Sequence, residues 1–165
     1  MADWFERFSE PAKVLIYWAI YIANSDSASY ITPEHILHSL IHKDPQVFAN
    51  VAPNIPELLD KLKAEFCDGT PAPFSREKLK TLPLSKSAQE IIRMADKQRA
   101  QLGHAHVATH HVLLAILACK GPLSWWFTSR TSHSKAQELL LKHGLTASAM
   151  KARMTEGKVE STPKR

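Results

Sequence analysis

The chain has 165 residues, a formal net charge of +5, ten prolines and five glycines. That length predicts one domain able to bury a core. Much of the basic excess sits in the tail (Lys151, Arg153, Lys158, Lys164, Arg165), and no basic stripe marks a folded face, which argues against nucleic-acid binding. The acids Asp3, Glu6 and Glu10 exclude a secretory signal at the start, and the apolar run 14–23 is too short to span a bilayer. Cys67 and Cys119 lack metal-ligand spacing and read as thiols of a reducing compartment. A soluble cytoplasmic protein is expected, with no cofactor, no membrane contact and no nucleic acid.

In chain order, the first helix is predicted from about Ser9 to Asn24, with Ser9 as N-cap and Pro11 in the first turn. NSDSAS (24–29) is a turn. Thr32-Pro33-Glu34-His35 opens a second helix, with Thr32 as N-cap and Glu34 at the positive end of the dipole. Short helices follow, punctuated by Asp44-Pro45 and Pro53-Asn54, and 56–66 closes the unit. Residues 68–83, with three prolines and one glycine, read as a linker. A helix over 85–102 ends at Gly103, a glycine suited to the position after a C-terminus. Thr109–Cys119, 135–144 and 146–154 are helical, and 155–165 reads as a flexible basic tail.

The strongest signal is internal. Residues 8–41 align without a gap on 84–117 at a constant offset of 76. Six positions are identical (Ser9/Ser85, Ala12/Ala88, Ile16/Ile92, Ala19/Ala95, His35/His111, Leu37/Leu113), and seven more exchange one apolar residue for another. The matches fall mainly where a helix buries its side chains, which indicates a duplicated helical unit whose copies pack on each other. The segment 121–134, with Trp125, Trp126 and Phe127, has no counterpart in the first copy.

The residues FSE-x-A (8–12) with ITPEHIL (31–37), and L-x3-A (84–88) with LGH (102–104) and VATHHVLL (107–114), resemble the Clp repeat domain found at the N-terminus of Clp-type AAA+ unfoldases. The likeness covers roughly residues 5–154, with repeat one at about 5–67 and repeat two at 84–154. It implies an all-α domain of two pseudo-symmetric four-helix repeats without catalytic activity. It also implies protein or peptide binding that delivers substrates or adaptors to a Clp ATPase or protease, or regulates one. The chain holds no G-x4-G-K-[ST] phosphate loop, so a free-standing Clp repeat protein without its motor is expected. G-x-S-x-G and H-E-x-x-H are absent too.

In some members of that family an acid at this place in each repeat pairs with phosphorylated arginine. This sequence has Glu34 in copy one and His110 in copy two. A neutral imidazole supplies no second carboxylate, so phosphoarginine binding is not expected. His35 and His111 read as a structural pair, each ring nitrogen bonding the preceding loop backbone. His104, His106, His110 and His111 form H-x-H-x3-H-H. Neighbouring helical residues diverge by about 100° and no acid or cysteine stands near, so no metal site is expected.

On helix one, Val14, Tyr17, Ile20 and Tyr21 stand where copy two has Glu90, Arg93, Asp96 and Lys97. The stripe should therefore face solvent and serve as a docking face, for a Clp partner or for a homodimer, unless Trp4-Phe5 or the tryptophan segment folds over it. Glu10 and Glu34 would add polar selection. The rival readings are a stand-alone scaffold or ligand-binding protein drifted from the Clp system, and a DNA-binding regulator.

Overall fold

The computed structural model describes residues 5–50, 55–66, 82–119 and 134–159. The first copy holds α1 (Glu10–Ser25), α2 (Pro33–Lys43), a 3-10 turn (Pro45–Asn50) and α3 (Ile55–Phe66). The second holds α4 (Lys86–Leu102), α5 (Thr109–Ala118), α6 (Lys135–Lys142) and α7 (Ala147–Val159). A further 3-10 turn, Phe5–Arg7, precedes α1. The architecture is all-α, as the sequence predicts. The third of these four elements in copy one is a 3-10 turn where copy two has α6, and α7 runs on into the segment expected to be a tail.

The repeated apolar spacing explains the packing. Ala12, Leu15, Ile16 and Ala19 are buried on α1, and their counterparts Ala88, Ile91, Ile92 and Ala95 are buried on α4. These are i, i+3, i+4, i+7 stripes, which lay one helix face on a core. α1 packs on α2 and α4 on α5, while α2 and α5 meet each other between the copies. Every residue from His111 to Leu117 on α5 is buried, so this helix is central.

Two short backbone bridges join the copies. Ser9 N–H donates to Val107 O (2.9 Å) and Val107 N–H to Arg7 O (2.8 Å). Ser85 N–H donates to Ile31 O (2.9 Å) and Ile31 N–H to Pro83 O (2.9 Å). Exchanging each residue for its partner at the offset of 76 converts the first pair of bonds into the second. The duplication read from sequence is thus a pseudo-two-fold in space, with each copy's first strand-like residues held by the other copy's loop.

The loops that make these bridges turn through corresponding left-handed residues, Ser27 (φ 54°) and Gly103 (φ 69°). A Cβ at Gly103 would meet nothing within 4 Å. Its glycine is therefore favoured by backbone conformation alone, a difference of roughly 1–2 kcal/mol for an L side chain. Gly103→Ala should lower unfolding free energy by about 1 kcal/mol in urea titration. A neutral result would show that the loop relaxes out of the left-handed region.

The caps of α2 and α5 are also paired. Thr32 N–H donates to His35 Nδ1 at 3.0 Å, and Ala108 N–H donates to His111 Nδ1 at 2.9 Å. This is the backbone bond expected of the identical histidines. An accepting Nδ1 requires a neutral ring with its proton on Nε2. In copy one that proton faces Asp26 Oδ2 at 3.4 Å. Burial is the first cause holding His35 below the usual histidine value, and it does the same for His38 and His42 further along α2. The unfolded chain takes up protons on these rings near pH 6.5, whereas the folded chain does so only at lower pH. Their stabilisation is therefore whole above about pH 6.5 and drains as pH falls toward the lowered folded values. Tm should fall between pH 7 and pH 5, and less steeply in His38→Gln/His42→Gln. Equal slopes for the two proteins would refute this assignment.

Candidate functional site

A groove opens along α4 beside the junction of the two copies. Phe8, Leu84, Gln89, Ile92, Arg93 and Asp96 line it among the described residues, and its volume is about 490 Å³. Phe8 is buried from copy one and Ile92 from copy two, so the apolar floor belongs to both repeats. Its rim is charged. Arg93 pairs with Glu90 through two hydrogen bonds (2.8 and 2.5 Å), and Asp96 accepts from Arg99 (2.7 Å) and from Arg7 of the other repeat (3.0 Å). These guanidinium bonds hold the Glu90 and Asp96 carboxyls below their usual values. Gln89 is fixed by its bond to Leu84 O.

The offset of 76 gives this groove a counterpart on α1, with Lys13, Ile16, Tyr17 and Ile20 in place of Gln89, Ile92, Arg93 and Asp96. There the chain supplies its own occupant. Phe5 is buried, stacks on Phe8 (6.5 Å), meets Tyr17 edge-on (5.4 Å) and lies under Lys13 Nζ (5.9 Å). Position 81, the counterpart of Phe5, lies outside the described residues.

The stripe on α1 is narrower than predicted. Val14 (52%) and Tyr17 (49%) are exposed. Ile20 packs against the core. Tyr21 is half-covered and stacks on Trp18 at 4.8 Å, and Lys43 lies 3.6 Å over the other ring of that pair, Trp18. Of the segments expected as possible covers, Phe5 does touch the stripe at Tyr17, while Trp4, Trp125, Trp126 and Phe127 lie outside the described residues.

The two acids assigned to polar selection are engaged within the chain. Glu10 accepts from Lys13 (2.9 Å) on its own helix. Glu34 accepts from Ala136 N–H at 3.3 Å, so its carboxylate rests on the N-terminus of α6, in the other copy. Both the charge and the free amides at a helix start favour such a contact. The opposite junction inverts the chemistry: Thr109, on the first turn of α5, donates to Asp44, which precedes the 3-10 turn of copy one (2.5 Å).

His110 does not mirror Glu34. It turns toward His104 and His111, with Nε2 3.2 Å from His111 Nε2, and His104 Nδ1 lies 2.8 Å from the same atom. The expected divergence of His110 and His111 fails at the ring nitrogens, because the two side chains bend back toward one point. Burial, then the neighbouring His110 and His104 rings, hold His111 down to about 3. Cys119 ends α5 half-buried, and burial pushes its thiol up. Cys67 lies outside the described residues. Among the described residues no helix is long and apolar enough to cross a membrane.

Comparison with known proteins adds the following. The family described as "Clp repeat (R) N-terminal domain" matches residues 7–128. An uncharacterised protein of Mycobacterium bovis is 28% identical over 123 residues, covering 72% of this chain and 47% of that protein. The chaperone protein ClpB of Chlamydia trachomatis is 26% identical over 140 residues, covering 83% of this chain and 16% of ClpB. The chain thus spans about half the length of the mycobacterial relative and a smaller part of the chaperone. The Hsp104 N-terminal domain from Candida albicans superposes with a TM-score of 0.63 at 17% identity, covering 92% of this chain and 91% of that one. The N-terminal domain of ClpD from Arabidopsis thaliana gives 0.60 at 19%, covering 93% and 96%. Both structures support the fold alone, and the family match reaches the same repeat that the exchanged backbone bridges reveal: the chain belongs to the Clp repeat N-terminal domain family.

Proposed function

We propose that this chain is a non-catalytic protein- and peptide-binding module that recruits substrates or adaptors to a Clp ATPase or protease, or regulates one. The groove of Phe8, Leu84 and Ile92 is the seat for an apolar side chain of the bound segment. The observation that carries this reading is Phe5, which lies against the matching residues on α1. A groove whose twin holds an aromatic ring suits an aromatic side chain from outside. Arg93 stands where Tyr17 meets Phe5, placed to add a cation–π contact to such a ring. The ion-paired rim of Glu90, Arg93 and Asp96 adds polar selection around that seat, beside Glu10 and Glu34 on the first copy.

The test is fluorescence anisotropy with a labelled unstructured peptide carrying phenylalanine, against the same peptide with alanine in its place. The phenylalanine peptide should bind, and Leu84→Asp, at a half-buried position of the lining, should weaken it by about tenfold or more, equal to 1.4 kcal/mol, with helicity checked in the same variant. Equal binding of both peptides, or no loss in the variant, would overturn the assignment of the groove.

The exposed pair Val14 and Tyr17 favours a second contact surface on α1, for a Clp partner or a second copy of this chain. Val14→Glu/Tyr17→Glu should abolish self-association in sedimentation, or capture of Clp subunits from native lysate. If mass and capture both stay unchanged in a folded variant, α1 is not a docking face. Capture lacking Clp subunits altogether would favour the drifted scaffold.

A further inference from the structure

His104, His110 and His111 gather three imidazole nitrogens within 4.8 Å of one another at the start of α5. We propose that they form a binding site for a divalent transition-metal ion of the zinc, cobalt and nickel class. Ligand nitrogens about 2.0–2.1 Å from a tetrahedral ion stand about 3.4 Å apart. The observed separations of 2.8 Å (His104 Nδ1 to His111 Nε2) and 3.2 Å (His110 Nε2 to His111 Nε2) must open slightly, while the triad as a whole, spanning up to 4.8 Å, must draw in. Two of the rings are anchored on the first turn of α5. The third follows the left-handed Gly103 in a short loop whose backbone is pinned to Arg99 at both His104 N–H and O, so its side-chain torsions make the adjustment. Imidazole is a preferred ligand for these ions.

Proton positions set the cost. His111 Nδ1 accepts from Ala108 N–H, so Nε2 carries the ring proton and points it at His104 Nδ1. The lone pairs of His104 and His110 already face that proton. A metal ion takes its place; the His111 proton moves to Nδ1, and the Ala108 cap bond is surrendered. The surrounding charges leave room for a cation. Arg99 is paired with Asp96 at 2.7 Å and donates to His104 O, and the Asp44 carboxylate stands beside Thr109. A bound ion would tie the loop carrying Val107, and hence its bridge to Phe8, to the start of α5. Copy one has no equivalent, since Ala28 and Glu34 replace His104 and His110.

The test titrates untagged protein with Co²⁺ alone and follows the visible absorption of tetrahedral cobalt. One equivalent should saturate the band, and Zn²⁺ added afterwards should bleach it. His104→Gln and His110→Gln should each abolish it, with helicity confirming that both variants fold, while His38→Gln/His42→Gln keeps it. No saturable band in the unmodified chain, or a band that survives both substitutions, overturns the proposal. The outcome is independent of peptide binding in the α4 groove.

Discussion

Four backbone hydrogen bonds between the copies are the constraint on which the rest depends. A buried amide or carbonyl without a partner costs about as much as a lost hydrogen bond, or more. The amides of Ser9, Ile31, Ser85 and Val107 donate across the junction, and Ile31 and Val107 are buried there. Each copy's bridge thus takes both its donor and its acceptor from the other copy's chain. The groove on α4 is a by-product of the same junction, because its floor is drawn from Phe8 on one side and Leu84 and Ile92 on the other.

Symmetry in the skeleton coexists with divergence in chemistry. The helix starts keep the same histidine cap, and the loops keep the same left-handed turn. What surrounds them has changed. The proton on His35 Nε2 faces a carboxylate, whereas the one on His111 Nε2 faces two more imidazoles. One groove carries a charged rim, and its twin meets the chain's own phenylalanine. Backbone duties were preserved in both copies, and side chains at the surface took separate paths.

Much of this was legible in the sequence because periodicity and caps are local. The helices, the glycine turn at Gly103 and the histidine–backbone bonds follow from residues close together in the chain, and the offset of 76 is legible because it repeats that local pattern. Ser9 matches Ser85 yet makes no side-chain cap bond, a difference that one-dimensional alignment does not carry. The contact of Glu34 was not legible because its partner is a backbone N–H 102 residues away, and amides leave no mark in sequence. Helical wheel geometry placed His110 and His111 apart at Cβ; long side chains leaning the same way brought the nitrogens together. Ile20 looked exposed by comparison with Asp96, but both positions are half-buried, and the apolar side chain packs against the core.

The inverted junctions bear on how such a chain can evolve. A protein made of two first halves would set Glu34 against Asp44, two negative charges at one helix start. One made of two second halves would set Thr109 against Ser134, without the Asp44 carboxylate that accepts its hydrogen bond. Recombination that homogenised the two repeats would produce either mismatch, so each half has become a specialised complement of its sibling and no longer a spare copy.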